Sequence, residues 1–564
     1  MVQKVSGGGI EITQLMFEKV LPRTDKLTVM DIRVQDNDGD STDASASAKV
    51  LQGLVNRKSS NKLYLFNDST DATHDIGGKH WNVQKDWLKQ IRELSSMPIN
   101  ELSREQGING GLHGLIRHFS DYIEGLIVWD NNPYNKVNMA AFGAAVTIAS
   151  QMNALAVSPE VMEQIVGWGF TFPVLVDLRE YKFKSDHELL DWCIDHYWDK
   201  TNHNINAVFS LGMDGWAPND KWGDNWLSNY IFNEGPIDYT VATNGFAFNI
   251  NISDGNDEHV LMKLLKKYAE GNTAILGWVP THPFMCGFSE VPTCLNTTSY
   301  FVIGVNGFSN LSVFASFPDY KAEFSTPVVH EVNSNDVFIN FISTDGDALH
   351  CVYRGMFSAY TKEKNNDFGL VPITWTIAPY LTSLAPPVYR FFSENLPQGS
   401  DFAIGWADKI NTIYDSCSAE LASNMKQYAE RSEINIIWTV NSDEETQRAD
   451  ICKWNSIIVG YSDSRAEASL SKLNKNTCVF GTWTFDDNSP EAIIDGIGEC
   501  VSKHSSGPLF MAVSLGAAFD VANEFYANAR IISDALNVNP QGHHYKFVNA
   551  SDMAATYKKY VFKD

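Results

Sequence analysis

Two carboxylates follow an apolar stretch in the segment DVFINFISTDGDALH, residues 336–350. Residues 337–342 have the β-branched and aromatic character of a buried strand, and Asp345 and Asp347 come directly after it, on either side of Gly346. Side chains two residues apart in an extended chain share a face, with Cα atoms about 6.6 Å apart. Like charges this close raise the pKa of one carboxyl group unless a cation lies between them. The pair therefore suits a general acid or a bound divalent cation. We expect Gly346 to supply a backbone conformation that other residues avoid.

Further acids and aromatic residues recur where other predicted strands end. We predict strands at 337–343, 371–377, 401–406, 434–440, 455–461, 477–483, 508–514 and 545–549. Eight such runs over about 230 residues fit a (β/α)8-type barrel, and an irregular or seven-stranded barrel would give the same pattern. The active sites of such barrels lie at the carboxyl ends of the strands. The candidate acids and bases at this rim, besides Asp345 and Asp347, are Asp408, Asp443, Glu444 and Asp486. Acids after strands also cap helices, so each has a structural alternative.

The candidate substrate-binding residues at the rim are aromatic or imidazole side chains. Trp406 and Trp483 stand at strand ends, where a ring could stack on a sugar. Trp375 and Trp438 lie within strands, where filling the barrel is favoured, but Trp375 is kept among the substrate-binding candidates. His350 follows the first acid pair closely.

Size and charge narrow the class of protein. At 564 residues the chain is too long for one core, and the net charge of −25 argues against nucleic acid or an anionic membrane surface as a partner. The sequence contains no stretch of about 18 apolar residues that would span a membrane. The eight cysteines form no CxxC pair, which argues against a structural zinc site. We expect no cofactor, apart from the alternative of a cation at Asp345 and Asp347.

Alternating strand and helix patterns along the chain predict an α/β protein with N-terminal α/β units and a C-terminal barrel. We predict an N-terminal subdomain at 1–110, a second at 111–185, a Trp-rich mixed subdomain at 186–328 and a barrel-like catalytic domain at 329–564. The loop DNDGD at 36–40 has acids at calcium-loop spacing, but Ser41 and Ser47 occupy the positions where an EF-hand needs Gly and Glu. We therefore interpret it as a solvated turn before a helix capped by Ser41, Thr42 or Asp43.

Three segments resemble the GxGYxYP family, which is described as glycoside hydrolases of bacteria. FISTDGDALH resembles the family's strand ending in S-D-G-D-N, and ITWTIAPYLTSLAPPVYRFF resembles its G-W-[ST]-I-[SA]-P segment with the helix that follows. SDFAIGWADKI lies where the naming motif belongs, but it keeps only the second glycine, Gly405, and an aromatic residue, Trp406. The chain thus resembles a divergent member. In the N-terminal half, the resemblance adds Glu290 to the substrate-binding candidates, because the family has a Glu in that segment.

The resemblance implies a carbohydrate-active hydrolase that cleaves a glycosidic bond in an oligo- or polysaccharide with two carboxyl groups. Two alternatives stay open. One is a metal-dependent polysaccharide deacetylase-like hydrolase, which usually needs a further histidine pair that this chain lacks near Asp345. The other is a glycan-binding or surface protein without turnover. A secreted or periplasmic location is expected if the SGGG near the start replaces a removed leader.

Overall fold

The structure is a computed structural model of the 564-residue chain. It describes residues 20–33, 39–66, 83–131, 139–208, 236–248, 260, 263, 273–277, 300–303, 308–344, 346, 349, 351–361, 367–378, 380–405, 426–439, 457–461, 471–474, 477–483, 489–504, 506–517 and 524–562. The strands in these residues form four sheets. Each of the four predicted subdomains contains one sheet, and the boundaries between the subdomains stay a prediction.

The first sheet is parallel and has the order β2-β1-β3. Its strands are β1 Lys26–Asp31, β2 Asn61–Phe66 and β3 Ile99–Glu101, and its helices are α1 Thr42–Lys58, α2 Val83–Ser95 and α3 Gly110–Phe119. The oxygen of Ser41 accepts a hydrogen bond from Ala44 N at 3.2 Å, which confirms one of the three predicted caps of α1.

Two further parallel sheets follow. The second has the order β5-β4-β6 and the third β10-β9-β7-β8. The strands are β4 Gly125–Val128, β5 Ala154–Val157, β6 Val174–Asp177, β7 Ile205–Val208, β8 Phe246–Phe248, β9 Thr273–Leu276 and β10 Tyr300–Ile303. The helices are α4 Met139–Met152, α5 Pro159–Gly167, α6 Asp186–Tyr197, α7 Ile237–Thr243 and α8 Leu311–Phe314, with short 3-10 turns at Ser120–Tyr122, Leu178–Tyr181 and Trp198–Lys200.

Asp40, the last acid of the DNDGD loop, is buried rather than solvated, so the predicted solvated turn is wrong at this residue. Its carboxylate accepts hydrogen bonds from Gly111 N at 3.0 Å and Leu112 N at 2.8 Å, at the start of α3. The guanidinium of Arg104 donates to it at 2.7 Å. The Asp40 carboxylate therefore joins the loop after β1 to the start of α3 through charge-assisted hydrogen bonds. Asp36 and Asp38 lie outside the described residues.

Buried side-chain hydrogen bonds join β2, α1 and α7 to the segment that begins α8. The carboxamide of Asn310 accepts from Leu65 N at 2.8 Å and donates to Leu65 O at 3.0 Å, so it continues the edge of β2. Gln52 donates to Asn310 Oδ1 at 2.6 Å. Asp238 accepts from both N and Oγ of Ser312 at 2.8 and 2.6 Å, and burial raises the pKa of its carboxyl group. These bonds fix the register between segments that are far apart in sequence.

The fourth sheet has nine strands, of which eight run parallel. The strands are β11 Asp336–Thr344, β12 Ile373–Ile377, β13 Asp401–Gly405, β14 Ile436–Thr439, β15 Ile457–Tyr461, β16 Ser471–Asn474, β17 Thr477–Trp483, β18 Leu509–Ala517 and β19 His544–Phe547. The helices are α9 Phe357–Thr361, α10 Leu381–Leu384, α11 Pro386–Glu394, α12 Pro490–Lys503, α13 Phe525–Val538 and α14 Ala550–Phe562, with a π-helix at Cys351–Met356.

The pairings run β12-β13-β14-β15-β17-β18-β11, and β11 also pairs with β12 through Phe341 and Ile342. The sheet thus returns to its starting strand, and we call it the barrel-like sheet. β19 pairs only with β11, at residues 336–339, and β16 is antiparallel to β17. A complete (β/α)8 barrel is therefore not what the described residues show.

Alternate residues of this sheet form two separate apolar layers. One cluster takes side chains from β11, β13, β14, β17 and β18, including Phe338, Trp438 and Phe510, so it fills the inside of the sheet. Met553 and Ala554 of α14 belong to the same cluster, and the ring of Tyr557 lies 5.0 Å from that of Phe510. Because Phe338 and Phe510 lie near the starts of their strands, α14 covers the amino end of the barrel-like sheet.

We expect Asp40→Ala to lower the free energy of unfolding by about 2–4 kcal/mol, because it removes the buried carboxylate that accepts from Arg104 and from two helix amides. Asp40→Asn should cost less, since an amide oxygen still accepts from the start of α3. Urea denaturation followed by circular dichroism measures both changes. Equal stability of Asp40→Ala and the wild type would contradict the proposed joining role.

Candidate active site

Most of the residues predicted for the active site lie outside the described residues. These are Asp345, Asp347, His350, Asp408, Asp443, Glu444, Asp486, Trp406 and Glu290. The backbone of Trp483 is described as the last residue of β17, and its side chain is not. The site is therefore built from the strand ends and turns that carry these residues.

Trp375 is fully buried, and its ring packs against Tyr360, Phe525 and Tyr526 at centroid distances of 5.6–5.8 Å. Its Nε1 donates to the hydroxyl of Tyr526 at 3.2 Å. The ring belongs to the apolar layer opposite to that of Trp438, between β12 and the helices. This placement favours a role in the core over stacking on a ligand, because the ring offers no exposed face.

Gly346 is held against the end of β12. Its N–H donates to Thr376 Oγ1 at 2.9 Å, and a Cβ atom at this position would lie 1.6 Å from the carbonyl oxygen of Thr376. Its φ is not in the left-handed region, so the expected reason for this glycine was wrong. The requirement is close approach of two backbones. Asp345 and Asp347 are covalent neighbours of this fixed point.

Hydroxyl groups reinforce the contact between the carboxyl ends of β11 and β12. Thr376 N donates to Ser343 Oγ at 3.0 Å, and Ser343, Thr344 and Thr376 are all buried. The polar side chains replace sheet hydrogen bonds where the two strands diverge, since their backbone register covers only two residue pairs. The sequence gives a signal for this, because Ser and Thr end an otherwise apolar run.

The neighbouring strand β18 is irregular at the same end. Ile342 pairs with Ser514 and Thr344 with Ala517, so β18 carries one extra residue in this interval. Gly516 has a φ of 108°, which favours glycine, and its N–H donates to Ser514 Oγ at 3.1 Å. Bulges occur preferentially beside active sites, where they redirect side chains. The π-helix at Cys351–Met356 is a second irregular element beside this rim.

The capping alternative can be checked for Asp486. The helix α12 begins at Pro490, and its cap is Ser489, whose oxygen accepts from Ala492 N at 3.3 Å. Ser489 therefore takes the cap position of α12, and Asp486 precedes it by three residues in the sequence.

No metal or membrane element is found in the described part of the chain. Its His, Cys, Asp and Glu side chains form no group of three or more that could hold a metal ion. None of its helices is both long and apolar enough to cross a membrane. A cation at Asp345 and Asp347 stays a prediction, because both residues lie outside the described ranges.

A cavity of about 1210 Å³ lies at the other end of the barrel-like sheet, at the starts of β13 and β14 and beside α14. Asp401 lines it and accepts hydrogen bonds from Thr374 Oγ1 at 2.6 Å and Ser551 N at 2.9 Å. Burial raises the pKa of Asp401 to about 6, although these donors lower it. Barrel enzymes carry their chemistry at the carboxyl ends of the strands, so this cavity is not the favoured active site.

Two segments of the chain match domain models of one family. Residues 335–477 match the model described as "GxGYxYP putative glycoside hydrolase C-terminal domain", and residues 123–201 match "GxGYxYP_N second domain". These matches confirm the resemblance to the GxGYxYP family that the motifs predicted.

The fold also resembles a solved structure, described as a putative hydrolase from Bacteroides thetaiotaomicron VPI-5482. The TM-score is 0.72 and the identity 16%, over 96% of each chain. At this identity the likeness shows the fold alone. A search of curated proteins found no match.

We expect Gly346→Ala to displace the turn that carries Asp345 and Asp347, because the added methyl group overlaps the Thr376 carbonyl. The melting temperature should fall by several degrees. Gly498→Ala is the matched control, since a Cβ at Gly498 in α12 meets no atom within 4 Å. It should be neutral or stabilise by up to about 1 kcal/mol. Calorimetry measures both, and an equally stable Gly346→Ala protein would contradict the close contact.

Asp401 predicts a pH dependence of stability. The folded state holds its proton up to about pH 6, whereas the unfolded chain releases it near the ordinary value of about 3.9. Because the unfolded state binds fewer protons between these values, this residue makes stability fall as pH rises from about 4 to about 6. Asp401→Asn should lose that part of the slope in melting temperature against pH. Glu93→Gln, at an exposed position of α2, should retain it.

Proposed function

We propose that the protein is a glycoside hydrolase whose acid/base chemistry takes place at the carboxyl ends of the strands of the barrel-like sheet. The observation that carries this proposal is the anchoring of Gly346 on Thr376, because it ties the turn with Asp345 and Asp347 to the rim. The bulge in β18 and the π-helix beside the same rim support it. The match to the family model agrees with this class of reaction, and the similar solved structure is described as a putative hydrolase.

Cleavage of a glycosidic bond needs a protonated carboxyl group for the leaving oxygen and a second carboxylate that acts as base or nucleophile. Asp345 and Asp347 are the candidates for one role. The candidates for the other are Asp408 after β13, Asp443 and Glu444 after β14, and Asp486 after β17.

Strand order favours two of these partners. β13 and β17 are each two positions from β11, on opposite sides, whereas β14 is three positions away. Two strand spacings are about 10 Å, which is close to the carboxyl separation of about 6.5–9.5 Å in inverting enzymes once side chains lean inward. Asp408 and Asp486 are therefore the preferred partners, and Trp406 and Trp483, two and three residues before them in the sequence, are the proposed sugar-stacking rings.

The net charge of −25 favours a neutral or cationic glycan over a polyanionic one, because an acidic protein repels an anionic polymer. A panel of neutral and amino-sugar oligo- and polysaccharides is the appropriate first screen, with new reducing ends as the readout.

Asp345→Asn or Asp347→Asn should lower the rate of cleavage at least about 100-fold, because the substitution at the carboxyl group that acts in catalysis removes a proton donor or acceptor without changing shape. Asp534→Asn, at an exposed position of α13, is the matched control and should keep full activity. Circular dichroism and melting temperature verify that the variants fold.

Other outcomes would replace the proposal. Acetate release without new reducing ends, abolished by a chelator, would indicate a metal-dependent deacetylase. Binding to glycans with no product from any of them would indicate a glycan-binding protein.

A further inference from the structure

Trp87 of the helix α2 is buried against the segment that follows the Asp345–Asp347 turn. Its indole Nε1 donates a hydrogen bond to the carbonyl oxygen of Tyr353 at 2.9 Å. Its ring stacks on Tyr353 at 5.7 Å and on Phe357 at 4.2 Å between centroids. The Trp87 ring therefore contacts the π-helix Cys351–Met356 in two ways: its face stacks on Tyr353, and its Nε1 donates to the Tyr353 carbonyl oxygen.

The same ring also contacts three phenylalanines that hold it in place. It meets Phe314, Phe391 and Phe392 edge to face at 6.1, 5.4 and 6.1 Å, and Trp87 has no exposed surface. Phe391 and Phe392 belong to α11 of the C-terminal half, and Phe314 to α8. A large ring enclosed on all sides has little freedom, so its hydrogen bond to Tyr353 has a defined direction.

The turn with the two aspartates is thus bounded by two anchors. On one side Gly346 is fixed to Thr376 in β12, and on the other Tyr353 is fixed to Trp87. Leu349, between them, is fully buried. Few residues separate the anchors, so a shift at Tyr353 must be taken up within the turn itself. π-helices are rare and occur frequently at functional sites.

We propose that Trp87 is a positioning residue, through which the N-terminal half of the chain sets the geometry of the rim that carries Asp345 and Asp347. The contact between Trp87 and Tyr353 can be tested without any assumed reaction. Its effect on catalysis rests on the proposed function. The C-terminal half alone, with the matched residues 335–477, is then an incomplete catalytic unit.

Hydrogen–deuterium exchange on the full chain tests the contact without a substrate. Trp87→Leu removes the ring and the donor, and amides in residues 349–357 should exchange about tenfold faster or more. Trp87→Phe keeps an aromatic ring without the N–H, and a smaller increase confined to the same residues is expected. Exchange in β18 should not change in either variant.

Trp198→Phe is the matched control, because Trp198 is also buried but stacks on His203, at 3.7 Å, in the N-terminal half. It should leave exchange at residues 349–357 unchanged. Unchanged exchange at these residues in a folded Trp87→Phe and a folded Trp87→Leu protein would overturn the proposal. If Trp87→Leu unfolds, Trp87→Phe alone decides.

Kinetics on a cleaved glycan separate positioning from simple stabilisation. Trp87→Phe should lower kcat severalfold with KM nearly unchanged and no change in melting temperature large enough to explain it. Wild-type kcat in a Trp87→Phe protein would overturn the catalytic consequence. If no glycan is cleaved by the wild type while exchange responds as expected, the proposed function fails and the anchoring by Trp87 stands.

Discussion

The burial of β11 between partners on both of its edges is the constraint on which the C-terminal half depends. All nine residues of this strand are buried, and one edge pairs with β18 along its length. The other edge is divided between β19 at its start and β12 near its end. Because two strands share that edge, β12 can approach β11 only at its carboxyl end. This geometry brings Thr376 to Gly346 and sets where the acidic turn begins.

The strands of the C-terminal half were predictable because each is a short apolar run between polar turns. All eight predicted strands are present, with ends that differ by up to three residues. Among the strands of the whole chain that were not predicted, two have clear local reasons. β5 follows α4 after a single residue, so ALAV extends the same apolar run, and β16, SKLN, has only one apolar side chain.

The candidate site was harder to predict than the strands. Sequence spacing indicated the end of β11, but period-two alternation does not tell which face of β12 meets the helices, so the environment of Trp375 needed the structure. The need for glycine at position 346 arises from a backbone 30 residues further along the chain. Trp87 gave no signal at all, because its partners Tyr353 and Phe357 are more than 260 residues away.

The barrel-like sheet can close only late in the synthesis of the chain. β11 can pair with β18 only after roughly 170 further residues have been made. The apolar layer inside the barrel-like sheet is completed only by α14, near residue 553. The first three sheets, by contrast, pair strands that are mostly closer in sequence. During synthesis the N-terminal half can therefore fold while β11 still exposes an apolar strand with both edges unpaired. The docking of Tyr353 and Phe357 on Trp87 involves no residue of β18 or α14, so this contact can form before the sheet closes and can serve as a template for a late-closing fold.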